Sequence, residues 1–216
     1  MLALLLAVAT TVPFPAPGTY AYAASLGGQP VGQWSVTVKS GDSGSEVDEN
    51  SAATFGGMQL SARAALVLGT DLSPQRYEGH YQTPGQSPNV SVVLTPTSAT
   101  VVGAFTSQPT QVALAPNTRH FVVVEPGLLA GLFALPAQLG AWKDPSVTWI
   151  TPTSGRAQPL TVNQAASQKP PAGVPPQDAL LSIDSPIALT IWYDSASLVP
   201  DRIEVPSQSA VLTRVR

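Results

Sequence analysis

The sequence predicts a mainly β protein: one strongly curved antiparallel sheet, or an open β-barrel, with one short apolar helix. Two observations lead to this prediction. Apolar residues alternate with polar or small ones along much of the chain, as at Trp34, Val36 and Val38, which is typical of strands with one buried face. Residues that form turns separate these stretches at intervals of roughly 8–12 residues, as in a sheet meander.

The two ends of the chain show this pattern most clearly. Near the N-terminus, Tyr20, Tyr22 and Ala24 alternate with small residues before the turn-forming pair Gly27-Gly28. Near the C-terminus, a strand carrying Trp192-Tyr193 is followed by an Asp/Ser turn, a Pro-led strand over 200–205 and a last strand over 209–215. We therefore expect antiparallel hairpins at both ends.

The middle of the chain continues the pattern. Residues 58–68 are rich in alanine, which leaves a helix possible, but their apolar positions recur with a period of two and so favour a strand. Further strands are expected around 76–81, 89–94, 100–105 and 119–124.

One segment, residues 126–139, predicts a helix instead. Its Leu and Phe side chains cover nearly the whole circumference of a helix, and a helix that is apolar all round is normally buried. Pro136 is expected to kink or end it. The simplest arrangement places this helix on the concave face of the sheet.

The chain divides into a leader and one domain. Residues 1–16 resemble a signal peptide, with an apolar run and the small-x-small site Ala7-Val8-Ala9; a second possible end lies near Ala16. The alternative is a buried N-terminal strand or helix. Residues 17–216 are expected to form a single β domain that contains a proline-rich loop at 168–176. The expected location is extracytoplasmic, periplasmic or secreted.

Composition argues against several classes of function. Ten Lys and Arg against 13 Asp and Glu leave a net charge of −3, whereas phosphate recognition needs clustered basic residues, so nucleic acid is not an expected partner. The absence of cysteine excludes disulfides, Cys-ligated zinc and thiol catalysis. The apolar run ends by Val12 and is too short for a membrane-spanning helix.

Few residues carry an obvious chemistry. Residues 41–44 (Gly-Asp-Ser-Gly) resemble a serine-protease nucleophile motif, but no His precedes Ser43 as that family requires, so a polar hairpin loop is favoured. Glu78 and His80 share one face of a predicted strand and could cooperate, while His120 is expected at a strand edge. The carboxylates Glu46, Asp48 and Glu49 lack the spacing of a calcium loop and are expected in a solvated loop or strand end. No catalytic residue, metal site or cofactor is predicted.

The candidate ligand-binding residues are apolar. Tryptophan side chains of a β domain either fill the core or line a groove, and the helix could act as a lid over an apolar cavity or as a plug that fills the core. The lid hypothesis assigns ligand contact to Leu128, Leu129, Leu132 and Phe133 of the helix and to Trp34 and Trp192 of the sheet.

Three segments carry a family resemblance: Tyr20-x-Tyr22 before residues 28–32, residues 71–77 with their Leu-x-Pro, and the Trp strand and Pro-led strand of residues 191–204. In these segments the chain resembles the domain-of-unknown-function 3108 family of exported bacterial proteins. By looser analogy, such sheets are similar to the periplasmic lipoprotein carriers, which cover an apolar cavity with a helical lid. The resemblance implies an exported β protein and brings no catalytic residues with it.

Three functions follow as expectations. The first is an exported, non-catalytic protein that binds or carries a lipid or other apolar ligand in the cell envelope. The second is a structural or protein-interaction component of the envelope with no ligand cavity. The third is an exported hydrolase, which would require Glu78, His80 or the carboxylates of 46–49 to converge in one cleft.

Overall fold

The computed structural model describes residues 12–103, 108–113, 118–125, 127–142, 146–164 and 168–216. Most of the signal-like segment, residues 1–11, lies outside this set. Of the rest of that segment, Phe14 packs against the core, Pro15 is buried, and the Ala16 carbonyl accepts a hydrogen bond of 2.7 Å from the Tyr20 hydroxyl. Residues 14–16, at the end of the signal-like segment, therefore pack onto the β sheet.

The described residues are mainly β, with 58% of residues in strands. The strands are β1 Gly18–Leu26, β2 Gln29–Gly41, β3 Gly44–Phe55, β4 Met58–Leu68, β5 Pro74–Gln82, β6 Asn89–Leu94, β7 Ser98–Val102, β8 Thr110–Ala113, β9 His120–Val123, β10 Val147–Thr151, β11 Arg156–Val162, β12 Ala179–Ser185, β13 Leu189–Tyr193, β14 Pro200–Val205 and β15 Ala210–Val215. One helix, α1, spans Ala130–Trp142, and a 3₁₀ turn spans Pro206–Gln208.

All 15 strands belong to one open sheet, in the order β8-β7-β6-β5-β4-β3-β2-β1-β15-β14-β13-β12-β11-β10-β9. The order consists of two meanders that are joined where the first strand pairs with the last. The predicted mainly β fold with a single unclosed sheet is confirmed. The sheet is mixed rather than wholly antiparallel, because β9 and β10 are parallel. A parallel pair needs a crossover connection, and α1 lies between these two strands in the chain.

The C-terminal meander agrees with its prediction. β13, β14 and β15 pair in order. The Asp194 carboxylate accepts hydrogen bonds from the backbone N–H groups of Ala196 (2.8 Å) and Ser197 (3.2 Å), which forms the turn after β13. β4 also confirms the strand prediction for 58–68, since Ala64, Leu66 and Leu68 are buried and alternate with more exposed residues.

The helix begins and ends later than predicted. It runs from Ala130 to Trp142 rather than over 126–139, and Pro136 lies inside it without ending it. Residues 130–138 are all buried, so packing on every side holds the segment helical at a position where proline removes one hydrogen bond.

The two faces of the sheet differ in character. We call the side that packs on α1 the inner face and the opposite side the outer face. On the inner face, one row crosses six adjacent strands with side chains that are at most 2% exposed: Val38, Val47, Leu66, Tyr77, Val92 and Val101. On the outer face of β2–β5, polar side chains dominate.

Candidate functional site

The helix residues proposed as ligand contacts lie in the core. Leu128, Leu129, Leu132 and Phe133 are each at most 5% exposed and belong to one continuous hydrophobic cluster. The Phe133 ring packs against Tyr20 with ring centroids 5.3 Å apart. These four side chains contact the protein's own strands in the structure.

The two tryptophans proposed as ligand contacts are far apart in the sheet. Trp34 lies on β2, is half-buried, and donates a hydrogen bond of 3.3 Å from Nε1 to the Gly127 carbonyl just before the helix. Trp192 lies on β13 and is buried. The proposed set of lid and aromatic residues therefore does not surround one opening.

A small cavity lies beside the helix. Its volume is about 20 Å³, and its walls include Leu132, Trp149 and Leu189. A water molecule needs at least about 10–15 Å³ by this kind of measure, so the space is of the order of one water and far smaller than an acyl chain.

The start of the helix is held by a carboxyl side chain from the sheet. Glu49 projects from β3 into an inner row whose neighbours in the register are Val36 and Ala64. Its Oε2 atom accepts hydrogen bonds from the backbone N–H groups of Leu129 (2.6 Å) and Ala130 (2.7 Å). The first N–H groups of a helix have no partner within the helix, and a carboxylate at this end is favoured by the helix dipole.

Sequence reasoning missed this role of Glu49, because Glu49 was grouped with Glu46 and Asp48 as a solvated loop or strand end. That expectation is wrong for Glu49, which is 1% exposed in the middle of β3. The alternation that starts at Val47 contained the signal, since residue 49 must share the face of residue 47 in a strand.

A second buried carboxylate lies near the first. Glu125 accepts two hydrogen bonds from Thr153, from the backbone N–H at 2.8 Å and from the hydroxyl at 2.7 Å. Burial raises the pKa of Glu125 and of the neighbouring Tyr77 and Tyr81, whose hydroxyls are 3.4 Å apart. The interior therefore contains a small polar cluster between the sheet and the start of the helix.

Burial also raises the pKa of Glu49 to about 7, although its two hydrogen bonds from the helix N-terminus lower it. The ordinary pKa of the carboxyl is 4.5. Between these values the unfolded chain loses the proton before the folded protein does. The contribution of Glu49 to the free energy of unfolding is therefore expected to fall as pH rises from about 4.5 to about 7.

We expect the substitution Glu49→Gln to remove this pH dependence. At about 1.4 kcal/mol per pKa unit, the contribution from Glu49 amounts to roughly 3 kcal/mol. Urea unfolding at pH 5 and pH 8 measures the free energy of unfolding of the native protein and of the Glu49→Gln variant. Glu78→Gln on the outer face is the control. The variant should gain stability relative to the native protein as pH rises, whereas parallel pH curves for the two proteins would contradict the assignment.

The outer face carries a second candidate site, a broad groove of about 960 Å³. Two rows of outward side chains form its walls, and the backbone of the intervening row, which includes Ser51 and Ala62, forms its floor. The arginine row consists of Ser35, Asn50, Arg63, His80 and Asn89 on β2 to β6. The amide row consists of Gln33, Ala52, Ser61 and Gln82 on β2 to β5.

Hydrogen bonds along the walls leave donors available. His80 Nδ1 lies 2.7 Å from Asn89 Oδ1, and because an amide oxygen can only accept, Nδ1 donates. The Ser61 hydroxyl donates to Gln82 Oε1 at 3.2 Å. Both amide oxygens are thus engaged within the protein, while the amide NH₂ groups of Asn89 and Gln82 have no partner among the hydrogen bonds of the described residues.

Three of the candidates for catalysis, Asp48, Glu78 and His80, line one shallow hollow of about 380 Å³ on the outer face, but each is engaged with another partner. Glu78 pairs with Arg76 at 3.6 Å, whereas His80 bonds Asn89. Glu46 and Asp48 both pair with Lys39 on the outer face, while Glu49 points inward. His120 begins β9 and stacks on Trp142 with centroids 4.3 Å apart. Within the described ranges, no group of three or more His, Cys, Asp or Glu could hold a metal ion.

Comparisons with known proteins correct the family resemblance. No model of a known protein family matches the chain, and no curated protein matches it. The chain is similar to the crystal structure of a domain-of-unknown-function 1089 family protein from Pseudomonas aeruginosa, with 8% identity and a TM-score of 0.48 over 92% of this chain and 95% of that one. The resemblance to the 3108 family was wrong, since no family model matches the chain.

Proposed function

We propose that the protein is an exported, non-catalytic binding component of the cell envelope that recognises its partner through the outer face of the sheet. The observation that carries this proposal is the burial of the helix from residue 130 to residue 138. A lid must be able to leave the sheet, and a segment whose whole circumference is buried would expose its apolar side chains to water if it did so. The helix acts as a plug.

The groove on the outer face supports a binding role. Its walls are polar side chains held in register by adjacent strands, and a rigid sheet positions such groups without cost at the moment of binding.

In the part of the chain that the structure describes, no helix is long and apolar enough to cross a membrane.

Export rests on the apolar segment 1–9 with its small-x-small site. Because Phe14 packs against the core, cleavage after Ala9 would leave the domain intact, whereas cleavage after Ala16 would remove part of its packing. The N-terminal residue of protein recovered from a periplasmic fraction tests both export and the cleavage position.

Two measurements test the binding role. The first is native mass spectrometry of mature protein, followed by titration with a fluorescent fatty acid. We expect a clean protein mass and no saturable uptake. A co-purifying lipid, or saturable uptake of the fatty acid, would overturn the proposal in favour of a carrier.

The second measurement uses the absence of cysteine from the chain, which makes any introduced cysteine a unique attachment point. A bulky maleimide is attached to Asn50→Cys in the groove, or to Val102→Cys on the exposed outer side of β7 as the matched control. We expect the label at position 50 alone to abolish co-sedimentation with washed cell envelopes. Equal effects of both labels, or no sedimentation of the unlabelled protein, would contradict recognition through the groove.

A further inference from the structure

We propose that the groove binds a segment of an acidic polysaccharide and that the guanidinium of Arg63 anchors its anionic group. This inference rests on the proposed function and names the ligand class for the same face. Four features of the groove lead to this inference: its charge, the lack of an ion pair at Arg63, its available hydrogen-bond donors, and its shape.

The charge of the groove is opposite to that of the protein. The chain has 13 acidic residues and a net charge of −3, yet no Asp or Glu is among the residues that line the groove, whereas Arg63 and His80 are. The adjoining hollow of about 730 Å³, which shares the amide row, also has no Asp or Glu in its lining. The two concavities form a continuous surface without anionic side chains that ends at the arginine row, because the hollow on the other side of Arg63 is lined by Asp48 and Glu78.

Arg63 differs from the other outer-face cations of β2–β5. Lys39 pairs with Glu46 and Asp48, and Arg76 pairs with Glu78. Arg63 is exposed and has no ion pair or hydrogen bond within the described residues. Its neighbours in the register, Asn50 and His80, bear no negative charge. An arginine in this setting presents several N–H donors in a planar fork, which suits a carboxylate or sulfate.

The other groups of the groove add donors to those of Arg63. The amide oxygens of Asn89 and Gln82 are engaged within the walls, which leaves their NH₂ groups available as donors. Hydroxyls and amides, such as Ser35, Gln33 and Asn50, supply further partners. A ligand rich in oxygen atoms and carrying a negative charge matches this set of groups better than an apolar one.

The shape of the groove favours an extended ligand that crosses the strands. Its lining reaches from Val215 on β15 to Asn89 on β6, which is six strand spacings or roughly 29 Å. The backbone of the floor is already paired within the sheet, so a peptide cannot add as a further strand there. The ligand is therefore recognised by side chains alone.

A single unpaired arginine in the groove is far too little positive charge to bind nucleic acid or an anionic membrane.

The test is a calorimetric titration of the mature protein with hexagalacturonate at low salt. Its methyl ester is the uncharged control, and dextran sulfate distinguishes sulfate from carboxylate as the source of charge. We expect binding of at least one anionic probe, binding that is at least about tenfold weaker for the ester, and loss of affinity at higher salt.

Variants locate the site. Arg63→Gln should weaken binding of the anionic probe at least about tenfold, Arg63→Lys should recover part of the loss, and Arg76→Gln outside the groove should stay within about twofold of the native protein. Binding of neither anionic probe, equal binding of the ester, or equal effects at positions 63 and 76 would overturn the inference. If both anionic probes fail while a label at position 50 still blocks envelope binding, the ligand class is wrong and the proposed function stands.

Discussion

Phe133→Asp is expected to unfold the protein rather than to release a ligand. Phe133 is fully buried in the middle of α1 and packs on Tyr20. Truncation of a buried phenylalanine alone costs about 3–5 kcal/mol, and an unpaired buried carboxylate adds to that cost. The total approaches or exceeds the roughly 5–15 kcal/mol that stabilises an ordinary domain.

Near-ultraviolet circular dichroism and urea unfolding measure this effect. The matched control is Phe133→Leu, which keeps an apolar side chain at the same point and should cost only about 1–2 kcal/mol. If the helix were a lid, the Asp variant would keep a folded sheet with a cooperative urea transition and would lose only ligand uptake. That result would contradict the plug assignment and reopen the carrier hypothesis.

Gly131→Ala is expected to destabilise the protein strongly, although alanine is the better helix former by about 1 kcal/mol. A Cβ atom at position 131 would lie 2.2 Å from the carbonyl oxygen of Val123 and 2.9 Å from the Cα of Val124. Both atoms belong to the backbone of β9 and the residue that follows it, so no side chain can rotate away. Helix and strand must separate, at a cost of about 3 kcal/mol or more.

The same helix offers its own control. Gly140 is exposed, and a Cβ atom there would meet no other atom within 4 Å. Gly140→Ala should therefore leave stability unchanged or raise it by up to about 1 kcal/mol. Chemical denaturation of the two variants separates the effects, and equal stabilities would show that the close approach of Gly131 to β9 does not constrain the helix.

Local patterns were enough to predict the strands and the class of fold. Alternation at Trp34, Val36 and Val38, and the turn at Asp194, depend only on neighbours in the sequence. The burial of α1 was also predictable, because its apolar residues cover the full circumference. Its limits were not, since tertiary packing keeps the chain helical through Pro136 as far as Trp142.

The candidate sites were harder to predict because they depend on pairing between distant strands. Arg63, Asn50 and His80 are separated by many residues in the sequence, and only the register of β3, β4 and β5 sets them side by side. Glu49 likewise meets the start of the helix about 80 residues later in the chain. Neither contact leaves a local motif.

The sequence by itself determined a β protein with a buried apolar helix, few charges and no cysteine chemistry, because residue periodicity and composition express local preferences directly. Only the tertiary structure decided that the helix fills the inner face, that Glu49 caps it, and that Arg63 stands unpaired in a groove without carboxylates. The reason is that strand order and register bring together residues whose separation along the chain carries no information about their distance in space.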